Sequence, residues 1–259
     1  MLSCNDRPDD RGKSTGAAVT NRSPDADEDE SSCVREWREI DPGARYRTAG
    51  CRDDGFDLHV VELDPKRWTI DVQTGARRPI SAAVDSSDAR FAINASFFGV
   101  DDRPLGVIVS SGRALQKAHP VSWQSIVSIS REGRARIVTR EDWPALEDDS
   151  FAAAQAGPRL MIGGEKNRVK KAEPSLRSGV CLTREGAIRF FVTAAGRYLD
   201  VHEMVELAAR SEADGGMACH EAMLFDGGPS AQMFLDTAGR KIDMSGDVVP
   251  VFIVAKPRL

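Results

Sequence analysis

Residues 222–235 read AMLFDGGPSAQMFL: two apolar runs flank a dense turn that contains one acid and one hydroxyl. The first run is short and apolar enough for a buried strand. Asp226-Gly227-Gly228-Pro229 breaks it, and Ser230-Ala231 can open a helix or a second strand. Asp226 therefore falls at a strand end. Glycine beside it permits positive φ and lets a ligand approach the backbone closely, while Ser230 can cap whatever follows. Residue types alone leave an ordinary Asp-Gly turn as the competing reading.

Strand signals surround this stretch. Downstream, residues 248–254 form a terminal apolar strand. Upstream, Asp200 is an N-cap type ahead of residues 201–211, where Met204, Val205, Ala208 and Ala209 share one face, so this segment is the one long helix. Residues 179–182 and 188–192 bracket Arg184-Glu185-Gly186 as a hairpin, and Arg131-Glu132-Gly133 turns strand 125–130 into strand 135–139. Residues 56–63 and 68–72 both alternate, and Asp64-Pro65 between them predicts another hairpin. Residues 79–88 hold a short helix or turn. The basic stretch with Lys166, Arg168, Lys170 and Lys171 reads as a solvated loop. Many strands, one long helix and no β-α alternation predict an α+β domain on a large, mostly antiparallel sheet.

The chain of 259 residues can bury one large core or two small ones. Residues 1–32 carry almost no large apolar side chains and are predicted to be a disordered tether or leader, leaving 33–259 as a single folded domain. A formal charge of -5 argues against a general nucleic-acid or anionic-membrane binder. No apolar run reaches the ~18–20 residues that a membrane span requires. Met1-Leu2-Ser3-Cys4 looks like the tail of a bacterial lipoprotein signal without its basic and apolar parts, so a lipid anchor at Cys4 is the one membrane attachment expected. Cys4, Cys33, Cys51, Cys181 and Cys219 lack the paired short spacing of a zinc site. Setting Cys4 aside, nearest-neighbour pairing gives Cys33–Cys51 and Cys181–Cys219, although four cysteines allow three connectivities.

Several chemistries are absent as motifs. There is no phosphate loop with Lys-Ser/Thr, no HExxH and no Gly-x-Ser-x-Gly elbow. His59, His119, His202 and His220 are dispersed, so neither a histidine metal cage nor a serine triad is indicated, and no metal site is expected.

Four blocks in order resemble the phosphodiester glycosidase family, the relatives of the lysosomal enzyme that uncovers the mannose 6-phosphate signal. Ile93-Asn94-Ala95-Ser96-Phe97-Phe98 is similar to the family's Asn-Ala-x-Phe-Phe segment, and Arg103-Pro104-Leu105-Gly106-Val107 follows it. Gln155-Ala156-Gly157-Pro158-Arg159-Leu160 resembles a Gly-Pro-x-Leu segment. Arg177-Ser178-Gly179-Val180 looks like an Arg-x-x-x-Gly hairpin. Phe225-Asp226-Gly227-Gly228-Pro229-Ser230-Ala231 resembles the Leu-Asp-Gly-Gly-x-Ser-Ala signature. Ser96 and Pro229 depart from the pattern, standing where relatives often carry glycine. The resemblance implies a twisted central sheet surrounded by helices, and cleavage between a sugar anomeric carbon and a phosphodiester oxygen.

In that chemistry the leaving phosphate monoester needs little protonation, so the site needs cations more than acids. Arg177, with Arg159 as a second candidate, would bind phosphate through bidentate hydrogen bonds. Asp226 would activate water or stabilise positive charge at the anomeric carbon. Asn94 and Ser230 would orient sugar hydroxyls or a phosphate oxygen, and backbone N–H groups around Gly227 and Gly228 would add anion donors. A paired-acid mechanism calls for a second carboxylate, for which Glu203 is taken first, with Glu206 and Asp101 or Asp102 as alternatives. No cofactor is required, and a divalent cation would be compatible. The expected partner is a sugar-phosphate or glycan substrate of an exported, extracytoplasmic hydrolase with a role in cell-envelope polysaccharide metabolism. The rival readings are a plain glycosidase or phosphodiesterase using the same pocket, and a non-catalytic glycan-binding envelope protein.

Overall fold

The computed structural model describes residues 33–121 and 124–258. The tether predicted for 1–32 and the anchor at Cys4 lie outside the described residues. Among those residues, eighteen strands form three sheets, accompanied by two α-helices. The first sheet runs, edge to edge, β1 (Arg38–Asp41), β2 (Ala44–Ala49), β3 (Leu58–Leu63), β14 (Ile188–Thr193), β13 (Ser178–Leu182), β15 (Glu221–Leu224), β11 (Arg159–Ile162) and β12 (Glu165–Lys166). The second runs β7 (Arg113–Gln116), β6 (Ile108–Ser110), β10 (Ser150–Ala156), β8 (Ser125–Ser130) and β9 (Ala135–Val138). The third runs β17 (Lys241–Met244), β16 (Met233–Asp236), β5 (Phe91–Asn94), β18 (Val249–Pro257) and β4 (Trp68–Arg78). The helices are α1 (Ile80–Asp85) and α2 (Val201–Ala209).

Alternation along each strand sends every second side chain to one face, and here it builds a shared core. Val61, Val180, Phe190 and Met223 from the first sheet meet Val127 and Ala154 from the second and Ile93, Met233 and Ile253 from the third. The opposite faces are covered separately. Met204, Val205, Leu207 and Ala208 of α2 pack on Leu58, Val60, Phe191 and Leu224. Ile80, Ala83 and Val84 of α1 pack on Ala92, Phe252 and Val254. Trp143 covers Val107, Val109 and Ala153 of the second sheet.

This architecture corrects the expectation of an α+β domain with one central sheet surrounded by helices. The protein is mostly β, with three antiparallel sheets and two short helices. The reason is that the sheets bury their inner faces against one another, so little apolar surface remains for helices to cover.

Local pairing follows the sequence in two hairpins. β13 and β14 pair across the Arg184-Glu185-Gly186 turn, with Val180 opposite Phe190, and β8 pairs with β9. The hairpin expected between residues 56–63 and 68–72 does not form. β3 pairs with β2 and β14, whereas β4 pairs with β18 in another sheet. Asp64 O accepts from Arg67 N at 2.9 Å and Trp68 N at 2.8 Å, and Trp68 Nε1 donates to Pro42 O at 3.1 Å. The corner thus turns the chain into a different sheet, and Val61, Leu63, Ile70 and Val72 reach the same core from two directions.

The pairs Cys33–Cys51 and Cys181–Cys219 are disulfide-bonded. The second fastens the segment between α2 and β15 to the middle of the first sheet. No helix among the described residues is long and apolar enough to cross a membrane.

Candidate active site

The opening stretch forms the seam between two sheets. Residues up to Leu224 pair in the first sheet, Met233 onward pairs in the third, and the Asp226-Gly227-Gly228-Pro229-Ser230 turn crosses between them. Neighbouring backbone holds both ends of the crossing. Leu224 N donates to Pro158 O at 3.0 Å, Phe225 N to Ser178 O at 2.9 Å, and Asp226 N to Ala95 O at 2.9 Å. The Gly157-Pro158 block therefore serves the site through its backbone.

Asn94 closes the other side of the clamp. Its Nδ2 donates to Asp226 O at 2.7 Å, while its Oδ1 accepts from Ser178 Oγ at 2.8 Å and from Gln232 N at 3.1 Å. Asn94 is 1% exposed. One amide thus ties the ends of β5, β13 and β16 around Asp226, which makes Asn94 a positioning residue. Asn94→Ala would leave Gln232 N without a partner and leave Asp226 O and Ser178 Oγ only each other, at 3.4 Å. At about 1–3 kcal/mol for each unsatisfied group with partial relaxation, the expected loss is on the order of 3 kcal/mol. Urea unfolding checks it: a loss below about 1 kcal/mol would show that the clamp is not needed.

Two glycines have specific steric reasons. A Cβ at Gly227 would lie 3.1 Å from Leu176 O and 3.5 Å from Arg177 Nη1. Gly228 has φ +61, the left-handed region that side chains disfavour. These two residues let the turn lie directly against Arg177.

The Asp226 carboxyl is half-buried. Burial raises its pKa above the ordinary carboxylate range, and hydrogen bonds from the Ser230 side chain and the Gly227 N–H partly oppose that rise. Arg177 is fixed by its own bonds: Nε donates to Leu199 O at 3.0 Å, Nη2 to Glu173 O at 2.9 Å, and the backbone N to Thr193 Oγ1 at 3.0 Å. Burial lowers its pKa while nearby Asp200 opposes the shift, and a guanidinium remains charged at neutral pH. Nη1, the nitrogen that packs on Gly227, makes no hydrogen bond among the described residues. The turn carries a carboxyl and a hydroxyl, and the partly desolvated guanidinium packs on it at Gly227.

Asp226, Gly227, Gly228 and Ser230 share one turn, Arg177 packs on that turn at Gly227, and Asn94 holds the turn from behind. Glu203 stands near but is engaged. Its carboxylate accepts from Asp200 N at 2.8 Å while Asp200 accepts from Glu203 N at 2.8 Å, a capping box at the start of α2. Arg159 is elsewhere: it forms an ion pair with Glu221 and donates to Ile137 O at 2.8 Å. Glu221 opens β15, so that pair lies ~10 Å along the strand from its Asp226 end at ~3.3 Å per residue. A cleft of about 1060 Å³ at that far end is lined by Arg136, Arg184 and Glu221 among others, and neither the turn nor Arg177 nor Asn94 reaches it. Its basic and acidic side chains balance, so volume there does not outweigh the chemistry at Asp226.

Three contributors escaped the sequence reading. Ser178 and Gln232 bond Asn94, and Thr193 holds the Arg177 backbone. Ser178 adjoins Arg177 and Gln232 follows Ser230 by two, so chain proximity was the available signal; nothing local pointed to Thr193. Among the described residues no group of three or more His, Cys, Asp or Glu is arranged to hold a metal ion.

In fold, the chain is similar to the zebrafish N-acetylglucosamine-1-phosphodiester alpha-N-acetylglucosaminidase catalytic domain auto-inhibited by its pro-peptide. The match has 15% identity and a TM-score of 0.64, covering 88% of this chain and 87% of that one. It is also similar to a hypothetical protein from Synechocystis, with 12% identity, a TM-score of 0.63, and coverage of 86% of this chain and 64% of that one. No curated protein matches by sequence. The family profile described as phosphodiester glycosidase matches residues 87–254, more than half of the chain and every element of the site. By that match the chain belongs to the phosphodiester glycosidase family.

Proposed function

We propose that this protein hydrolyses a glycosyl-1-phosphodiester between the anomeric carbon and the phosphodiester oxygen. One observation carries the reading: a half-buried Asp226 carboxyl with raised pKa, hydrogen-bonded by Ser230, in a turn on which Nη1 of Arg177 packs, a nitrogen with no hydrogen bond among the described residues. A carboxylate of raised pKa is a stronger base than an exposed one, which suits activation of water near neutral pH. When ionised, it also stabilises positive charge developing at the anomeric carbon.

Arg177 holds the phosphate and stabilises the departing monoester. Its Nε and Nη2 are already bound to carbonyls, so it acts as a pre-set cation that need not reorganise during the reaction. Ser230 and the Gly227 N–H orient the carboxyl; the Gly228 N–H, expected as an anion donor, is instead bonded to Leu176 O at 2.9 Å. Glu203 serves in this mechanism as the cap that keeps the first turn of α2 beside Leu199, the acceptor of Arg177 Nε. The good leaving group removes the need for a second acid, and no cofactor enters the reaction. Two disulfides favour an extracytoplasmic setting, where an envelope glycan bearing sugar phosphates is the substrate class.

Hydrolysis of a sugar-1-phosphodiester in 18O-labelled water tests this directly. Label on the sugar C1 hydroxyl is expected. Label on the released phosphate would replace the glycosidase reading with a phosphodiesterase one, and binding of a panel of such esters without turnover would favour a glycan-binding protein.

A further inference from the structure

A second hollow, of about 260 Å³, opens at the same end of the first sheet as Arg177. His59 at its base pairs across the sheet with Val192, and Val192 pairs in turn with Ser178. Phe56, Ala194 and Met244 supply apolar walls, while His59 and Arg240 supply polar groups beside Arg197, Asp54 and Asp243.

These polar groups are held in place but incompletely used. Arg240 lies over the Tyr46 ring, its guanidinium carbon 4.7 Å from the ring centroid, and its buried Nε has no hydrogen-bond partner among the described residues. The two acids lining the hollow are engaged elsewhere: Asp54 by Arg197 at 2.9 Å and Asp243 by Ser245 Oγ at 2.5 Å. His59 Nδ1 is 2.9 Å from Tyr46 Oη, and the Phe56 ring meets the imidazole edge-on at 4.8 Å. With the tyrosine hydroxyl donating to Nδ1, a neutral imidazole carries its proton on Nε2. Burial, with the charge of Arg240 as the smaller cause, lowers the His59 pKa to about 4, so the ring is neutral near pH 7. A buried guanidinium whose charge no partner offsets is costly, and an anion between it and an imidazole N–H donor would offset that charge and accept from the ring.

We infer that this hollow is a binding site for a small oxyanion, a phosphate or carboxylate group, held by Arg240 and His59. The site is distinct from the reacting groups at Asp226 and does not depend on the hydrolysis reading. Both a second negative group on a glycan substrate and a free anion present the chemistry it takes.

The test follows the His59 ring by 1H–15N NMR while inorganic phosphate, and separately acetate, is titrated into the full chain. At least one anion is expected to shift the His59 signals saturably and to raise the pKa of the ring, because it offsets the Arg240 charge. Arg240→Gln is expected to weaken binding at least tenfold. Arg240→Lys, which keeps the charge but loses the planar fork, is expected to weaken it severalfold and covers the case in which the glutamine variant does not fold. Arg177→Ala is expected to leave it unchanged. His59 signals that respond to neither anion, or respond equally in Arg240→Gln, overturn the inference. So does a response lost in Arg177→Ala, which would assign the anion to the catalytic turn instead.

Discussion

Asp226→Asn lowers kcat by roughly 10²–10⁴-fold, the range for loss of a positioned acid or base, and at the same time raises thermal stability at neutral pH. The first effect follows from removing the basic oxygen; the second follows from burial. Burial holds the carboxyl above the ordinary carboxylate range, so between the unfolded and folded pKa values the native state binds more protons than the unfolded chain. Stability then falls as pH rises through that window. The favourable contribution is fully present below the unfolded pKa and is lost above the folded one, where a half-buried charge must be kept. Asparagine carries no such charge and can still accept one hydrogen bond from Ser230 or the Gly227 N–H. The variant should therefore melt above the wild type at neutral pH, with the gap closing as the solution is acidified. Melting temperatures at several pH values check it, and a gap independent of pH would show that the Asp226 charge is not the cause. The wild-type rate should lose its basic group on acidification at a pH above that of an exposed aspartate.

Arg177→Ala lowers kcat/KM by about 10²–10³-fold, the cost of removing one pre-set electrostatic donor in a reacting site. Part of the loss should fall on kcat, because charge on the departing phosphate grows in the transition state. Lysine should restore little. The guanidinium spans Leu199 O and Glu173 O with two nitrogens and presents a third at Gly227, an arrangement that a single ammonium cannot reproduce. Steady-state kinetics on Arg177→Ala and Arg177→Lys decide the point. Near wild-type turnover in either would remove Arg177 from the phosphate site.

How much of this was legible depended on how local each cause was. The Asp226 turn was readable because an acid followed by two glycines and a proline after an apolar run leaves few backbone options. The β13–β14 hairpin was readable for the same reason, and so was the N-cap at Asp200, although its partner Glu203 looked like a second acid. A glutamate three residues after an aspartate can close a capping box or reach a substrate, and only the hydrogen bond to Asp200 N distinguishes the two. Arg177 and, as a second candidate, Arg159 were both open as phosphate ligands along the chain. In space, Arg159 is committed to Glu221 at the far end of β15, while Arg177 faces the turn.

By itself, then, the sequence determined many of the strands, the turn that carries Asp226, the first turn of α2 and the family, because alternation, glycine, proline and capping residues act over a few positions. The tertiary structure alone decided that β3 and β4, and likewise β15 and β16, separate into different sheets. It also made Asn94 a clamp whose amide reaches Asp226, Ser178 and Gln232. Those outcomes depend on which apolar faces can be buried together, a competition among segments far apart in the chain. The seam that results is where the opening stretch crosses from one sheet to the other and sets the turn after Asp226 on Arg177.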